Sequence, residues 1–204
     1  MAVSRLSQTS LQNAFQKNNN VWDGLSAVGG MDAIPGAQIL QASASSVVMS
    51  SIPQTYTHLQ LRALVKTSRG VSYDSINIRA NSDTGSNYAA HEMSGDGRPY
   101  ISVGGSGGAT SMYIARVPGN TGGHENKFGI VIIDILDYTN TSKHKTFRSI
   151  YGYDIALGSG SIGGINGMNS GVWRSTDAIT SLTIRPDSGP NFLTYSNFAL
   201  YGIR

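Results

Sequence analysis

Apolar and polar side chains alternate at every second position through much of the chain after residue 36. Residues 58–66 (HLQLRALVK) show this best, with Leu59, Leu61, Ala63 and Val65 on one side and polar residues on the other. A period of two is that of a β-strand with one buried face. No stretch after residue 36 has the period of a long helix, and a parallel α/β fold would need a helix at each crossover. The sequence therefore predicts an all-β fold.

Other segments carry strand patterns and are separated by turns rich in Gly, Ser and Asn. They are residues 38–49, 74–81, 111–117, 128–136, 146–153, 171–175, 179–185 and 191–203. Residues 128–136 (FGIVIIDIL) are apolar on both faces, which predicts a central strand buried from both sides. About eight or nine such strands predict an antiparallel, jelly-roll-like β-sandwich over residues 37–204.

A long irregular insert, residues 81–123, interrupts this pattern. It contains residues 104–108 (GGSGG), which resemble a phosphate-binding loop but lack the Gly-Lys-Ser/Thr ending and a following helix. We interpret them as a flexible loop. Loops this long usually bind a ligand, pack on a neighbour or contain a short strand pair.

Residues 1–36 form a separate polar segment, which we interpret as an extended N-terminal arm. Among the apolar residues of this segment we single out Leu11, Phe15, Val21 and Trp22. A disordered tail is the alternative, but a tryptophan carries a large apolar area that is costly to leave in water. We expect these four side chains to dock on a partner protein or on the sandwich itself.

Composition excludes several classes of protein. The charged fraction of 13% is low and the net charge is +3, with no dense basic run. The cluster Lys143, His144, Lys145 and Arg148 is interpreted as a solvated loop, so no nucleic-acid partner is expected. The absence of cysteine excludes disulfides and thiolate metal sites. No apolar run approaches the ~18 residues of a membrane helix and no secretory signal is evident, so we expect synthesis in a cytoplasm without membrane insertion.

No catalytic constellation is visible. None of the four histidines forms a metal-binding pair, and the neighbours of His91 and His124, both glutamates, would point to the opposite face of a strand. Asp134 and Asp137 would also lie on opposite faces, Asp134 as a polar contact at a sheet face and Asp137 in the following turn. We therefore expect no enzymatic activity, no metal and no cofactor.

Tyrosines near predicted strand ends are the better candidates for contacts, because their rings suit both protein interfaces and sugar stacking. In the insert we single out Tyr88, His91, Arg98 and Tyr100 as candidate contacts to a ligand or a neighbouring subunit.

Four blocks of sequence resemble segments of structural proteins of tailed bacteriophages, including cyanophages. They are residues 51–62 (SIPQTYTHLQLR), 81–91 (NSDTGSNYAAH), 133–138 (IDILDY) and 195–203 (YSNFALYGI). The resemblance implies a β-sandwich module of virion proteins, found in head-surface and in tail or fibre proteins. It brings no catalytic residues with it.

Resemblance and composition together lead to a functional expectation. The chain is expected to be a virion structural protein, a capsid decoration (cement) or head-fibre protein that docks through its arm on other virion proteins of capsid or tail. We expect a homo-oligomer, with a trimer as one form. The alternative is a tail or tail-fibre component, or a receptor-binding module that recognises a host surface glycan.

Overall fold

The computed structural model describes residues 30–97, 102–121, 123–155 and 163–204. The chain divides into two compact units, Met1–Asp32 and Ala33–Arg204. The first unit lies almost wholly outside the described residues, and the account below concerns the second. Strand β1 crosses the predicted boundary after residue 36, and the division into arm and sandwich stays a prediction.

Twelve strands are assigned within the described residues. They are β1 (Met31–Ile39), β2 (Val47–Met49), β3 (His58–Val65), β4 (Tyr73–Ala80), β5 (Tyr88–Gly95), β6 (Ser102–Ala109), β7 (Met112–Pro118), β8 (Gly129–Leu136), β9 (Lys145–Asp154), β10 (Gly164–Trp173), β11 (Leu182–Pro186) and β12 (Asn197–Ile203). This described part contains no helix with the length and apolar character needed to cross a membrane.

The strands form two sheets. The larger has the order β1-β12-β3-β8-β9-β10-β5-β6, and the smaller has the order β2-β11-β4-β7. The registered strand pairs in both sheets are antiparallel. The chain passes repeatedly from one sheet to the other, as in jelly rolls. The predicted antiparallel β-sandwich is confirmed.

The core consists of the inward faces of the two sheets. Leu59, Leu61 and Val65 of β3 are buried as the alternation predicts, and they meet Ile76 and Ile78 of β4 in one apolar cluster. Burying a side chain of this size stabilises the fold by about 1.5–3 kcal/mol. The alternation therefore decides which face of each strand is turned inward.

Strand β8 corrects one prediction. It lies near the middle of the larger sheet, but its residues alternate between buried and accessible. Ile130 and Leu136 are about half exposed, so the strand is not buried on both faces. An apolar run fits a doubly buried strand equally well, and sequence alone cannot show that a sheet face is left uncovered.

The insert at residues 81–123 is also more regular than expected, because it contains β5, β6 and β7. Residues 104–108 lie within β6, so the flexible-loop interpretation is wrong. Seven residues of β5 pair with residues of β6. This pairing explains why glycines, which have little preference for strands, form a strand there.

Candidate functional site

Six of the predicted contact residues lie outside the described part of the chain. They are Leu11, Phe15, Val21 and Trp22 of the arm and Arg98 and Tyr100 of the insert. Their roles stay predictions.

Tyr88 is a core residue and not a loop contact. It begins β5 on the inward face, is fully buried and stacks on Trp173 with ring centroids 6.5 Å apart. Its hydroxyl accepts a hydrogen bond from the Ala80 amide at 3.1 Å. Burial raises the pKa of Tyr88 to about 12. The sequence did not indicate a core position for Tyr88, because residues 88–95 (YAAHEMSG) show no clear alternation of apolar and polar side chains.

His91 occupies the opposite face of β5 and is exposed. Its ring lies over Gly105 of β6, where an added Cβ would come 2.7 Å from the His91 Cδ2 atom. In the register of the sheet, His91 lies between Gly105 on one side and Ser170 of β10 on the other. It belongs to the solvent-facing surface of the larger sheet, which we call the outer face.

The predicted basic cluster does not converge on one surface. Lys145 is fully buried, contrary to the solvated-loop prediction, and its ammonium donates hydrogen bonds to the carbonyls of Lys143 and Thr176, both at 3.0 Å. Desolvation lowers the pKa of Lys145. Lys143 pairs with Asp137, and Arg148 lies on the outer face. The lysine ties loops together and is not available to a phosphate.

Exposed apolar side chains form a continuous band on the outer face, which we call the outer strip. Its members are Leu64, Met93, Val103, Ile130, Ile132, Ile150 and Met168. Six of them are between 39% and 77% exposed, and Ile132 is half-buried. Monomeric proteins rarely leave contiguous apolar patches of more than a few hundred Å² in water, and larger ones mark interaction sites.

Strand register makes the outer strip continuous. Ile132 of β8 lies opposite Ile150 of β9, which lies opposite Met168 of β10. Met168 faces Met93 of β5, and Met93 faces Val103 of β6. Directly opposite side chains in antiparallel strands are about 4.5–5.5 Å apart at Cβ. Five consecutive strands thus contribute one apolar side chain each to a single line across the sheet.

A polar row borders the outer strip on the same face. Gln60, Asp134, Arg148, Ser170 and His91 lie opposite one another on successive strands from β3 to β5. The Gln60 side-chain amide donates to Asp134 Oδ1 at 2.7 Å, as expected for a polar contact at a sheet face.

The inner side of β5 carries a different constellation, centred on the largely buried carboxylate of Glu92. Glu92 Oε2 accepts from the Arg116 guanidinium at 2.8 Å, and Oε1 accepts from the Tyr113 hydroxyl at 2.6 Å and from the Tyr151 hydroxyl. Burial, followed by the hydrogen bond to Glu92, raises the pKa values of Tyr113 and Tyr151, so both remain neutral donors. Three donors hold this carboxylate in a fixed position.

A cavity of about 290 Å³, which we call the Glu92 cleft, opens beside this group. The residues that line it are Tyr73, Ser75, Ala90, Glu92, Gly104, Gly105, Ser106, Tyr113 and Arg116. Tyr73 is 40% exposed, and the centre of its ring lies 5.2 Å from the Arg116 guanidinium carbon, in cation–π geometry. An accessible aromatic ring next to fixed polar groups can hold a small polar ligand.

The cleft was missed from sequence because its residues come from β4, β5, β6 and β7 and are far apart in the chain. Residues 88–95 show no apolar–polar alternation, so no sequence signal marked Glu92 as an inward position. Within the described residues, no three His, Asp or Glu side chains come together as a metal site would need.

No protein-family model matches the sequence, and no curated protein matches it. Among solved structures, galectin LEC-6 of Caenorhabditis elegans is similar over 82% of this chain and 98% of its own, with 11% identity and a TM-score of 0.35. The CBM2 module of the evolved Dit protein of Lactobacillus casei BL23 phage J-1 is similar over 87% of this chain and 93% of its own, with 11% identity and a TM-score of 0.17. At these TM-scores neither likeness carries an argument about function.

Proposed function

We propose that this chain is a non-enzymatic assembly protein of a tailed-phage particle, a capsid decoration, cement or head-fibre protein made in the host cytoplasm. The outer strip is the observation that carries this proposal, because an apolar band across five strands is costly to leave in water. The four blocks that resemble phage structural proteins support the particle as its setting.

The partner of the outer strip is a neighbouring protein subunit with an apolar, uncharged contact surface. The strip itself carries no charged side chain, while Arg62, Asp134 and Arg148 lie at its border on the same face. An apolar centre with a polar border is the usual anatomy of a protein–protein interface. A glycan or nucleic acid would leave the apolar centre without matching groups. The N-terminal arm provides a second attachment in this proposal.

Replacing two residues in the centre of the outer strip with lysine tests the assembly proposal. We expect Ile150→Lys/Met168→Lys to fold, since both side chains are exposed, but to be depleted at least about tenfold from purified particles because it buries unpaired charge at the contact. Val48→Lys is the matched control, because Val48 is 49% exposed on the other sheet. The measurement is the stoichiometry of the protein in particles by quantitative mass spectrometry, with immunogold labelling to distinguish head from tail. A doubly substituted protein present at the normal stoichiometry would refute the proposal.

Recognition of a host surface glycan is the second candidate, and the Glu92 cleft favours it. The exposed Tyr73 ring offers a stacking surface, and the arginine and hydroxyl groups around it offer hydrogen bonds. The volume of the cleft, about 290 Å³, is close to the lower end of the range for small-ligand pockets, which begins at about 300 Å³.

A glycan array separates this candidate from pure assembly. We expect Tyr73→Ala to weaken binding about tenfold or more through loss of the stacking surface. Tyr195→Ala, at a more exposed tyrosine outside the cleft, should leave binding unchanged. If the wild-type oligomer binds no glycan, or if Tyr73→Ala binds like wild type, the second candidate is wrong.

A further inference from the structure

Among the described residues, the two sheets have four edge strands, and an edge strand presents unpaired backbone groups that can recruit another strand. The edges are β1 and β6 in the larger sheet and β2 and β7 in the smaller one. Natural proteins protect such edges with short strands, charges, prolines and bulges. The four edges of this protein differ in which of these devices they carry.

Three of the edges are protected. Strand β1 contains Pro35 and Gly36, and Gly36 has a φ of 112°. Strand β2 is three residues long. Strand β7 contains the charged Arg116 and ends in Pro118, and its pairing with β4 is interrupted by a bulge.

Strand β6 is not protected by shortness, by charge or by proline. Its sequence, SVGGSGGA, has neither charge nor proline, and all but the last of its eight residues are exposed. A bulge occurs only near its end, where Gly108 has a φ of 68° and the register with β5 shifts. Glycine inside a strand often marks a place where another backbone approaches closely. Within the part of the chain that the structure describes, residues 102–107 are therefore a regular, open strand edge.

The sequence of β6 matches itself in antiparallel orientation. With a two-fold axis at Gly105, Gly105 lies opposite its own symmetry copy, Gly104 lies opposite Ser106, and Val103 lies opposite Gly107. The two residues of each pair point to the same side of the joined sheet, since residues an even number of positions apart point to the same side of a strand. A large side chain meets a glycine, and no like charges are brought together. An isologous two-fold contact needs this kind of self-complementarity.

We propose that β6 pairs with β6 of a second copy of this chain, so that two eight-stranded sheets become one continuous sheet. The two-fold axis is perpendicular to the sheet and places both outer strips on the same side. Val103, the most exposed residue of the strip at 77%, then lies at the junction of the two copies. This inference does not depend on the phage setting or on the partner of the outer strip.

Charge placed at the junction tests the pairing. Val103→Lys/Gly107→Lys puts lysines directly opposite each other in the dimer, and we expect the dissociation constant to rise about tenfold or more. Val103→Lys/Gly107→Glu puts opposite charges there instead and should restore the dimer. Both substitutions suit the single subunit, because Val103 is exposed and a Cβ on Gly107 meets no atom within 4 Å.

Gly70→Lys/Val71→Lys is the matched control, at an exposed valine and at a glycine with equally open surroundings. Sedimentation velocity should show two copies for wild type, this control and the Lys/Glu variant, and single copies for the Lys/Lys variant. A single-copy wild type, a two-copy Lys/Lys variant or a single-copy Lys/Glu variant would overturn the pairing. Ile150→Lys/Met168→Lys should remain two-copy, which keeps failure of the edge pairing distinct from failure of the assembly proposal.

Introduced cysteines report the register, because the chain has none of its own. Opposite residues in an antiparallel pair have Cα atoms about 4.5–5.5 Å apart, within the range that a disulfide spans. Val103→Cys/Gly107→Cys should therefore form covalent dimers on oxidation. Each single cysteine should not, because the two copies of residue 103, and likewise of residue 107, are about 14 Å apart in this register. Covalent dimers from the single variants but not from the double variant would overturn the register.

Discussion

At the scale of single residues, the Asp83 carboxylate connects two distant parts of the chain. Its carboxylate accepts hydrogen bonds from the buried Trp173 indole at 2.7 Å, from the Asn87 side-chain amide at 2.8 Å and from the Gly85 amide at 2.7 Å. The turn before β5 is thereby tied to the end of β10. Hydrogen bonds to a charged group are worth more than neutral ones, and a buried indole N–H is costly to leave unpaired.

Asp83→Ala should lower the free energy of unfolding by about 2 kcal/mol at pH 7. The hydrogen bond from Trp173, followed by that from Asn87, lowers the pKa of Asp83. A lowered carboxyl pKa stabilises the folded state above the unfolded value of 3.8, and this contribution is lost as the pH falls through the folded pKa. The difference between wild type and Asp83→Ala should therefore shrink in acid.

Urea unfolding at pH 7 and near pH 3 measures this difference, with Asp154→Ala as a control at an exposed carboxylate. A gap between wild type and Asp83→Ala that is as large in acid as at neutral pH would contradict the role of the ionised carboxylate.

Residue roles were predicted less well than strands. Asp134 was expected to make a polar contact on a sheet face and does so with Gln60. Tyr88 was expected at the surface and is in the core, while Lys145 was expected in solvent and is buried. Both misplaced side chains satisfy their polar groups with backbone partners from other parts of the chain, Ala80 for one and Thr176 for the other. Such partners depend on tertiary contacts and leave no local pattern.

At the scale of elements, β12 packs closely against the ring of Tyr56 at one glycine. Gly202 faces the Tyr56 side chain, and a Cβ added there would lie 2.3 Å from two of its ring atoms. The Arg204 guanidinium carbon lies 5.2 Å from the centre of the same ring, on the strand's C-terminal side. The glycine is thus required by packing.

Gly202→Ala should destabilise the protein by about 1–3 kcal/mol, because the ring and the strand must separate. Gly70→Ala is the control, since its Cβ would meet open space and the loss of unfolded-state entropy favours alanine slightly. Thermal unfolding of the two variants beside wild type measures the effect. Equal midpoints for Gly202→Ala and wild type would show that Tyr56 moves aside without cost.

Local alternation predicted many of the strands but missed β5 and β6, and it did not predict which strand faces are covered. The pattern of β3 predicted its buried face correctly, because its polar residues all lie on one face and its apolar face must then be the buried one. The pattern of β8 is apolar on both faces and gave no such information. Strand β6 has almost no side chains to read, and its order depends on β5 beside it. The line of apolar side chains in the outer strip runs from β8 to β6, and β6 is also the strand of the proposed edge pairing.

At the scale of the whole molecule, the class of fold was predictable and the order of strands was not. Alternation and turn residues are local, so an antiparallel sandwich could be inferred from them. The neighbours of each strand depend on loops and packing that a single sequence does not specify. The Glu92 cleft illustrates this, because Glu92 and Tyr151 meet only through the placement of β5 and β9 in one sheet.

The position of β12 between β1 and β3 has a consequence for synthesis on the ribosome. Asn197 pairs with Leu64, and Ile203 pairs with His58. Strand β3 therefore cannot pair with β12 until most of the chain has been translated. At about 5–20 residues per second the delay is on the order of ten seconds. Until then the edge of β3 that will pair with β12 is open to other nascent chains. We therefore expect chaperones, rather than early native pairing, to protect this part of the newborn protein.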